Sequence, residues 1–355
     1  MIRNLLKAGT ANLLHGTRMD RMFGALSGAR QLPVILGYHR VVEDFSESAK
    51  TSIPSLLISR QMLESHLEWV GRRYRFVDLD ELAGRMESDE GFDLPLAAVT
   101  FDDGYCDFYH QAVPLLRKMG VPATVFVVTN LLGTSQLQVH DALYLLLLRR
   151  ARREVKRPLS KPDFLRAGLP DIDDMTPYHA VRLLIESLPL AGLVEIIESL
   201  KADDTADAQD LGPFRSLNWD ELHSIRSHGF IVGSHTKSHT VIPRENPSFV
   251  AKELLESRTR LERGLGEPIR HFAYPSGHFD RASVDAVAAA GYGFGYTGCQ
   301  HRSTTNPLLT IPRTMLWENS SLDSQRSFSG AVLSCQIYRA FDLVGGCRQH
   351  HEAVN

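Results

Sequence analysis

The chain has few cysteines, no long apolar run and no excess of charge of either sign, and each absence removes a class of protein. Its four cysteines, Cys106, Cys299, Cys335 and Cys347, are scattered and form no C-x-x-C pair. This argues against a disulfide framework or a thiolate zinc site and makes reduced thiols the default. The most apolar stretch, Ala142 to Leu148, falls far short of the ~20 residues a membrane-spanning helix needs. The N-terminal MIRNLLKAGTANLLHGTRMDRM is basic, but Asn4, Lys7, Asn12 and His15 interrupt it before a signal-peptide core can develop. A cytoplasmic protein is therefore expected, with an N-terminal helix lying on its own body or holding it peripherally at the inner membrane. Lysine plus arginine (39) against aspartate plus glutamate (42) leaves a net charge of −3, so nothing draws the chain generally toward nucleic acid. Glycine loops of the Walker or Rossmann type and a G-x-S-x-G elbow are also missing.

What is present is material for a large α/β fold. Of 355 residues, 43% are hydrophobic and 23% charged, enough for a sizeable core. Apolar, β-rich runs recur at Val34 to His39, Arg75 to Leu79, Leu96 to Phe101, Ala123 to Thr129, Phe230 to Ser234, His271 to Tyr274, Gly293 to Thr297 and Leu309 to Met315. Between them lie stretches of helical spacing, such as Ser59 to Arg72, Tyr105 to Met119, Asn218 to Ser227 and Ser248 to Gly264. Continuous apolar strands imply burial on both faces and hence a parallel sheet. Seven or eight units favour a closed barrel over an open sheet. The rhythm breaks at about 131–213, where a basic helical run (LLLLRRARREVKR) and an acidic stretch (KADDTADAQD) suggest an insertion with solvated helix faces. The expected division is an N-terminal helical segment over 1–32, a barrel over 33–327 carrying the insertion, and a tail over 328–355 with no clear assignment.

Two clusters of reactive side chains follow apolar strands. The run Leu-Ala-Ala-Val-Thr-Phe ends in Asp102-Asp103-Gly104-Tyr105, at the carboxyl edge where α/β barrels assemble active sites. Alone, such a pair is more often a solvated turn or a helix N-cap, and only a partner changes that reading. Gly-Phe-Ile-Val-Gly-Ser leads into His235-Thr236-Lys237-Ser238-His239, and one turn of helix would bring both imidazoles to one face. Two histidines and a carboxylate suit a zinc-like divalent cation and leave one coordination position for water. One aspartate can then serve the metal while its neighbour stays off it to accept a proton. Metal coordination brings the pKa of water toward ~7, so a carboxylate is an adequate base.

Thr100-Phe101-Asp102-Asp103-Gly104-Tyr105 together with His235-Thr236-Lys237-Ser238-His239 resembles the leading motifs of the polysaccharide deacetylases, family four of the carbohydrate esterases. Gly37-Tyr38-His39-Arg40-Val41, Leu217-Asn218-Trp219-Asp220-Glu221-Leu222 and Phe272-Ala273-Tyr274-Pro275-Ser276-Gly277 agree with it. The likeness covers about residues 33 to 315 apart from the insertion. It implies a distorted (β/α)7 TIM-like barrel with a helical insertion, and removal of acetyl groups from N-acetylhexosamine units of a polysaccharide or glycan precursor. It further implies Asp102 as general base, Asp103, His235 and His239 as ligands of a divalent metal, and the backbone N–H of Ser276 as oxyanion donor. The metal would be Zn2+, with Co2+, Ni2+ or Mn2+ as alternatives.

Two departures from the family pattern matter. Ala273 stands where many members carry an arginine that steadies the base, so Arg313 in Thr310-Ile311-Pro312-Arg313 is the candidate replacement, with a surface arginine as the alternative. The family's C-terminal leucine-x-histidine, source of the general acid, is not evident. His39 is the candidate, ahead of His278 and His301, although a buried, merely hydrogen-bonded His39 is as good a reading. Tyr105, Trp219 and Tyr274 are candidate sugar-binding aromatics, unless they simply pack. The departures also leave open a protein that binds metal and glycan without catalysis, or a barrel metallohydrolase of another amide or ester. Neither the polymer nor the oligomeric state can be read from the residues.

Overall fold

A computed structural model describes residues 2–26, 33–88, 94–152, 172, 175–203 and 212–341. Parts of the basic and acidic runs singled out in the insertion (153–157 and 204–210) and Cys347 lie outside the described residues. Strands Val34–Tyr38, Leu96–Phe101, Thr124–Val127, Ile231–Ser234, His271–Ala273 and Phe294–Thr297 run parallel. The circuit is completed by Ile311–Pro312 and Thr314–Met315, two short pieces separated by Arg313. The first pairs with Phe294–Thr297 (Ile311 opposite Tyr296) and the second with Val34–Tyr38 (Leu36 opposite Thr314). One segment thus bridges both ends of the sheet, giving a seven-stranded barrel with Arg313 at the change of partner. The eighth expected run contributes only Arg75–Phe76, paired outside this circuit to Leu96 and Ala97. There Asp78 caps the helix Leu79–Glu87 and ends the extended stretch.

Side-chain alternation divides the barrel. Ile35, Ala98, Phe126, Ile231, Ala273, Phe294, Tyr296 and Ile311 form one buried cluster, closed by Val77, Leu79 and Leu82. Their neighbours Leu36, Val99, Val125, Val232 and Phe272 belong to a second cluster shared with the surrounding helices, among them Leu63 and Leu67 of Arg60–Gly71 and Leu254 and Leu261 of Pro247–Leu265. Successive residues of a strand face opposite sides, so the first cluster fills the barrel and the second seals it from outside. Residues in phase with the inner set continue inward past the strand ends, and these are His39, Asp102, His235 and Arg313.

The helical insertion has a core of its own. Leu143, Leu146 and Leu147 of Val139–Arg152 meet Ala180, Val181 and Leu184 of Pro177–Ser187 and Leu193, Ile196 and Ile197 of Leu190–Asp203. The N-terminal helix Ile2–Gly16 lies on the protein itself, its Ala8 and Ala11 packed with Val332 and Cys335 of Gly330–Ile337. The tail that the sequence left unassigned is thus partly a helix, and Ser334 Oγ donates to Asp20 Oδ2 at 2.6 Å to fasten the two termini. No helix among the described residues is long and apolar enough to cross a membrane.

Closure depends on close backbone approach at Gly295, where an added Cβ would lie 2.3 Å from the Leu309 carbonyl oxygen. Backbone cannot yield as a side chain does, so Gly295→Ala should destabilise the chain by about 1–3 kcal/mol. A lower urea midpoint at unchanged slope is the expected result.

Candidate active site

Asp102 and Arg313 meet because both continue the inward phase of their strands. The Arg313 Nη1 and Nη2 donate to Asp102 Oδ1 and Oδ2, each at 2.7 Å, and Nη1 also reaches Thr100 Oγ1 at 3.1 Å. Asp102 is 4% exposed and Arg313 3%. Burial pushes the Asp102 carboxyl up, but the Arg313 charge and its paired hydrogen bonds offset this and hold it below its ordinary value. The guanidinium engages one lone pair on each oxygen, so acceptor capacity remains for a further donor.

Asp103 follows in the left-handed region at φ 71°, and Gly104 at φ 69° is fixed by Val127, whose Cα would stand 3.2 Å from an added Cβ. This sharp turn swings Asp103 out of the strand's alternation and toward the histidine loop. His235 Nε2 lies 3.5 Å and His239 Nε2 3.1 Å from Asp103 Oδ1. The histidine segment is not the helical turn expected from its spacing. Residues 235–239 form a turn in which Thr236 (φ 64°) and His239 (φ 58°) are both left-handed, and the two rings converge at 5.0 Å between centroids. Of the seven non-glycine residues with positive φ among those described, Asp103, Thr236, His239 and Ser276 all sit in these rim loops. Such strain persists only where surrounding structure enforces it.

These residues fit a cation. Their ligand atoms lie within 4.8 Å of one another. Both Asp103 carboxylate oxygens are buried with no hydrogen-bond partner among the described residues. His235 Nδ1 donates to the Ala273 carbonyl at 2.8 Å, leaving the Nε2 lone pair aimed at the carboxylate. Lone pairs and an anion facing each other without a donor call for a positive centre.

The remaining candidates divide. His39 is partly exposed at the mouth, where burial holds its pKa below the ordinary value against the opposing pull of Asp103 and Asp102. Ser276 is exposed on the turn after His271–Ala273, at φ 56°. Tyr105 and Tyr274 are 0% exposed, which corrects the expectation that they stack on a sugar. Tyr105 lies under the Arg40 guanidinium, 4.9 Å from the ring centre, and Tyr274 packs on Phe272 and Phe279. Trp219 is half-buried, with its ring against Gly264 of the outer helix layer. The sequence reading missed Gln138 and His140. Gln138 Nε2 donates to the Asp103 carbonyl at 2.9 Å, and His140 Nε2 stands 3.7 Å from Asp103 Oδ2. Their only signal was a histidine-aspartate pair opening an otherwise apolar helix.

The family model for polysaccharide deacetylases matches residues 91–159 and 196–295. The chain belongs to the polysaccharide deacetylase family. Bacillus subtilis YxkH is 29% identical over 104 residues, which is 29% of this chain and only 34% of that protein. A poly-beta-1,6-N-acetyl-D-glucosamine N-deacetylase of Staphylococcus aureus is 22% identical over 240 residues, 62% of this chain and 77% of the relative. Among solved structures, Streptococcus pyogenes deacetylase PplD superposes with a TM-score of 0.54 at 18% identity, covering 86% of this chain and 97% of the other. At that identity the likeness establishes the barrel, and the site must be argued from this chain's own residues.

Removing Arg313 leaves the Asp102 carboxylate buried without its counter-charge. Arg313→Met should cost about 3–5 kcal/mol near neutral pH. In the wild type, Asp102 contributes stability above its unfolded value of about 3.9 and loses it as pH falls through its depressed folded value. In the variant, burial alone raises the carboxyl, so the penalty should shrink as acid protonates it. Urea unfolding at pH 8 and pH 5 checks this, with the gap between wild type and variant narrowing at pH 5.

Proposed function

We propose that the chain is a metal-dependent deacetylase that hydrolyses the N-acetyl group of N-acetylhexosamine units in a polysaccharide or glycan precursor and releases acetate. One observation carries this reading: a carboxylate clamped by Arg313 and kept off the Asp103, His235 and His239 cluster stands directly beside it. A protein that only held a metal would have no use for the second, separately compensated carboxylate. That argument also weighs against a chain that has lost catalysis, because Arg313 serves Asp102 despite Ala273.

Asp103, His235 and His239 would hold the cation, for which a nitrogen-rich set of two imidazoles and one carboxylate favours Zn2+ over the harder Mg2+ or Ca2+. When bound, the metal supplies Lewis acidity, making water more acidic and drawing electron density from the acetyl carbonyl. Asp102 takes the proton from the attacking water, and Arg313 holds both of its oxygens so that the base does not rotate away. The Ser276 N–H donates to the carbonyl oxygen as negative charge develops there. When the C–N bond breaks, the amine nitrogen needs a proton, and the one Asp102 took from water is returned to it through His39 at the mouth, which accepts at one ring nitrogen as it donates from the other. Acetate and the free amino sugar are the products. We further propose that the enzyme works in the cytoplasm or against the inner membrane, acting on a biosynthetic glycan. Poly-N-acetylglucosamine is the first substrate to try, following the name of the Staphylococcus aureus relative.

Zn2+-loaded protein should release acetate from N-acetylglucosamine oligomers, and Asp102→Asn should reduce turnover at least a hundredfold while metal analysis still finds one ion per chain. Wild-type turnover in that variant would remove Asp102 as the base. His39→Ala should slow amide hydrolysis far more than hydrolysis of p-nitrophenyl acetate, whose leaving group needs no proton. Equal losses on both substrates would reassign the acid.

A further inference from the structure

The turn that carries His235 and His239 places a β-branched residue, Thr236, in the left-handed region at φ 64°. Threonine avoids that conformation, so something outside the turn must hold it. The strand before it is fixed in the ordinary way, with His235 N donating to the Val127 carbonyl at 3.0 Å. Beyond His235, each of the next two carbonyls is held by the loop that follows Thr124–Val127. The Thr236 carbonyl accepts from Thr129 N at 3.2 Å and the Lys237 carbonyl from Asn130 N at 2.8 Å.

The opposite edges of the same two peptide groups point at one side chain. Lys237 N and Ser238 N both donate to Glu253 Oε2, at 3.1 and 2.9 Å, and the Ser238 hydroxyl donates to Glu253 Oε1. Glu253 lies on the outer helix Pro247–Leu265 and is 3% exposed. Successive N–H groups converging in this way form a concavity suited to an anion, and the carboxylate that fills it comes from the chain itself. The Lys237 ammonium goes instead to Glu256 at 2.6 Å. What Glu253 grips is therefore main chain rather than a charged side chain. Both peptide planes between the histidines are clamped from two sides, carbonyls by Thr129 and Asn130, amides by Glu253. With those planes fixed, Thr236 has no freedom to relax, and the distance between the two imidazoles is set.

We propose that Glu253 is a positioning residue of the metal centre: by holding the amides of Lys237 and Ser238 it keeps the turn in the conformation that brings His235 and His239 to one cation. This rests on the metal site proposed above. Partners beyond the ligands that orient them commonly affect metal affinity by about 10–100-fold on removal.

The test is Zn2+ affinity of the full chain, measured by competition with a chromophoric chelator, alongside the visible spectrum of the Co2+-loaded protein and urea unfolding of each metal-free protein. Glu253→Leu, similar in size but without an acceptor, should weaken Zn2+ binding by about 10–100-fold and alter the Co2+ bands. Glu253→Gln, whose amide oxygen still accepts from both N–H groups, should recover most of the affinity. Leu261→Ala, in the core beneath the same helix and away from the turn, should lower the urea midpoint while leaving affinity and spectrum unchanged. Wild-type affinity in Glu253→Leu overturns the proposal. An equal loss in Leu261→Ala also overturns it, because packing of the helix would then account for both. Should Glu253→Leu fail to fold, Glu253→Asp, whose carboxylate is one methylene short of the turn, takes its place: weakened binding supports the proposal and wild-type affinity overturns it. If the wild-type chain itself binds no Zn2+, the underlying metal reading falls and takes this proposal with it.

Discussion

Two adjacent carboxylates, each almost sealed from water, occupy the floor of the barrel mouth, and the surrounding architecture is arranged around their compensation. Desolvating one such charge is costly and desolvating two side by side is worse, since they also repel. The chain answers differently for each. Asp102 receives a planar guanidinium that satisfies both oxygens at 2.7 Å. Asp103 receives imidazole nitrogens at 3.1 and 3.5 Å with no donor of hydrogen-bond geometry. The first solution leaves a carboxylate fixed and ionised. The second leaves a gap in charge suited to a cation, and that unequal treatment is what supports separate roles for two otherwise identical side chains.

Barrel closure and site chemistry turn out to be one feature. Arg313 sits where the last strand changes partner, from Phe294–Thr297 to Val34–Tyr38, with its N–H donating to the Thr297 carbonyl at 3.0 Å. Its side chain crosses to the end of Leu96–Phe101 on the inner side, beneath the mouth. Burying an arginine there is tolerable only because Asp102 waits for it, and burying Asp102 only because the closing strand supplies an arginine. The strained loops fit the same logic. Asp103, Thr236, His239 and Ser276 hold left-handed conformations, and each leaves a strand end abruptly enough to aim a group across the mouth. Outside the barrel the insertion pins this strained turn through Gln138 and Tyr105.

Much of the site could be read from residue order because strand periodicity and the barrel's carboxyl edge are local properties. A run such as Leu-Ala-Ala-Val-Thr-Phe followed by two aspartates places them at an edge, and the same holds for the strand before His235. The strand boundaries shifted by only a residue or two at most elements. Arg313 was legible as a residue at a strand end, but its partner was not, since 211 positions separate it from Asp102. The histidine spacing suggested a helical turn, and the backbone instead uses two left-handed residues, a choice made by the rim rather than by i to i+4 preference. The aromatic residues misled because identity carries no information on exposure. Tyr105 and Tyr274 are interior, and only packed neighbours reveal it.

The sequence by itself determined the parallel α/β class, the strand ends that carry reactive groups and the family to which the motifs point, because each depends on short-range pattern. The tertiary structure decided which charge meets which. It paired Arg313 with Asp102, turned one oxygen of Asp103 toward the imidazoles and the other toward His140, and brought a helix from the insertion to the edge of the site. Those choices follow from closing the barrel and docking the insertion, and burial makes them matter. In water such pairings would be weak and interchangeable, whereas in a desolvated mouth an unpartnered charge is too costly to persist.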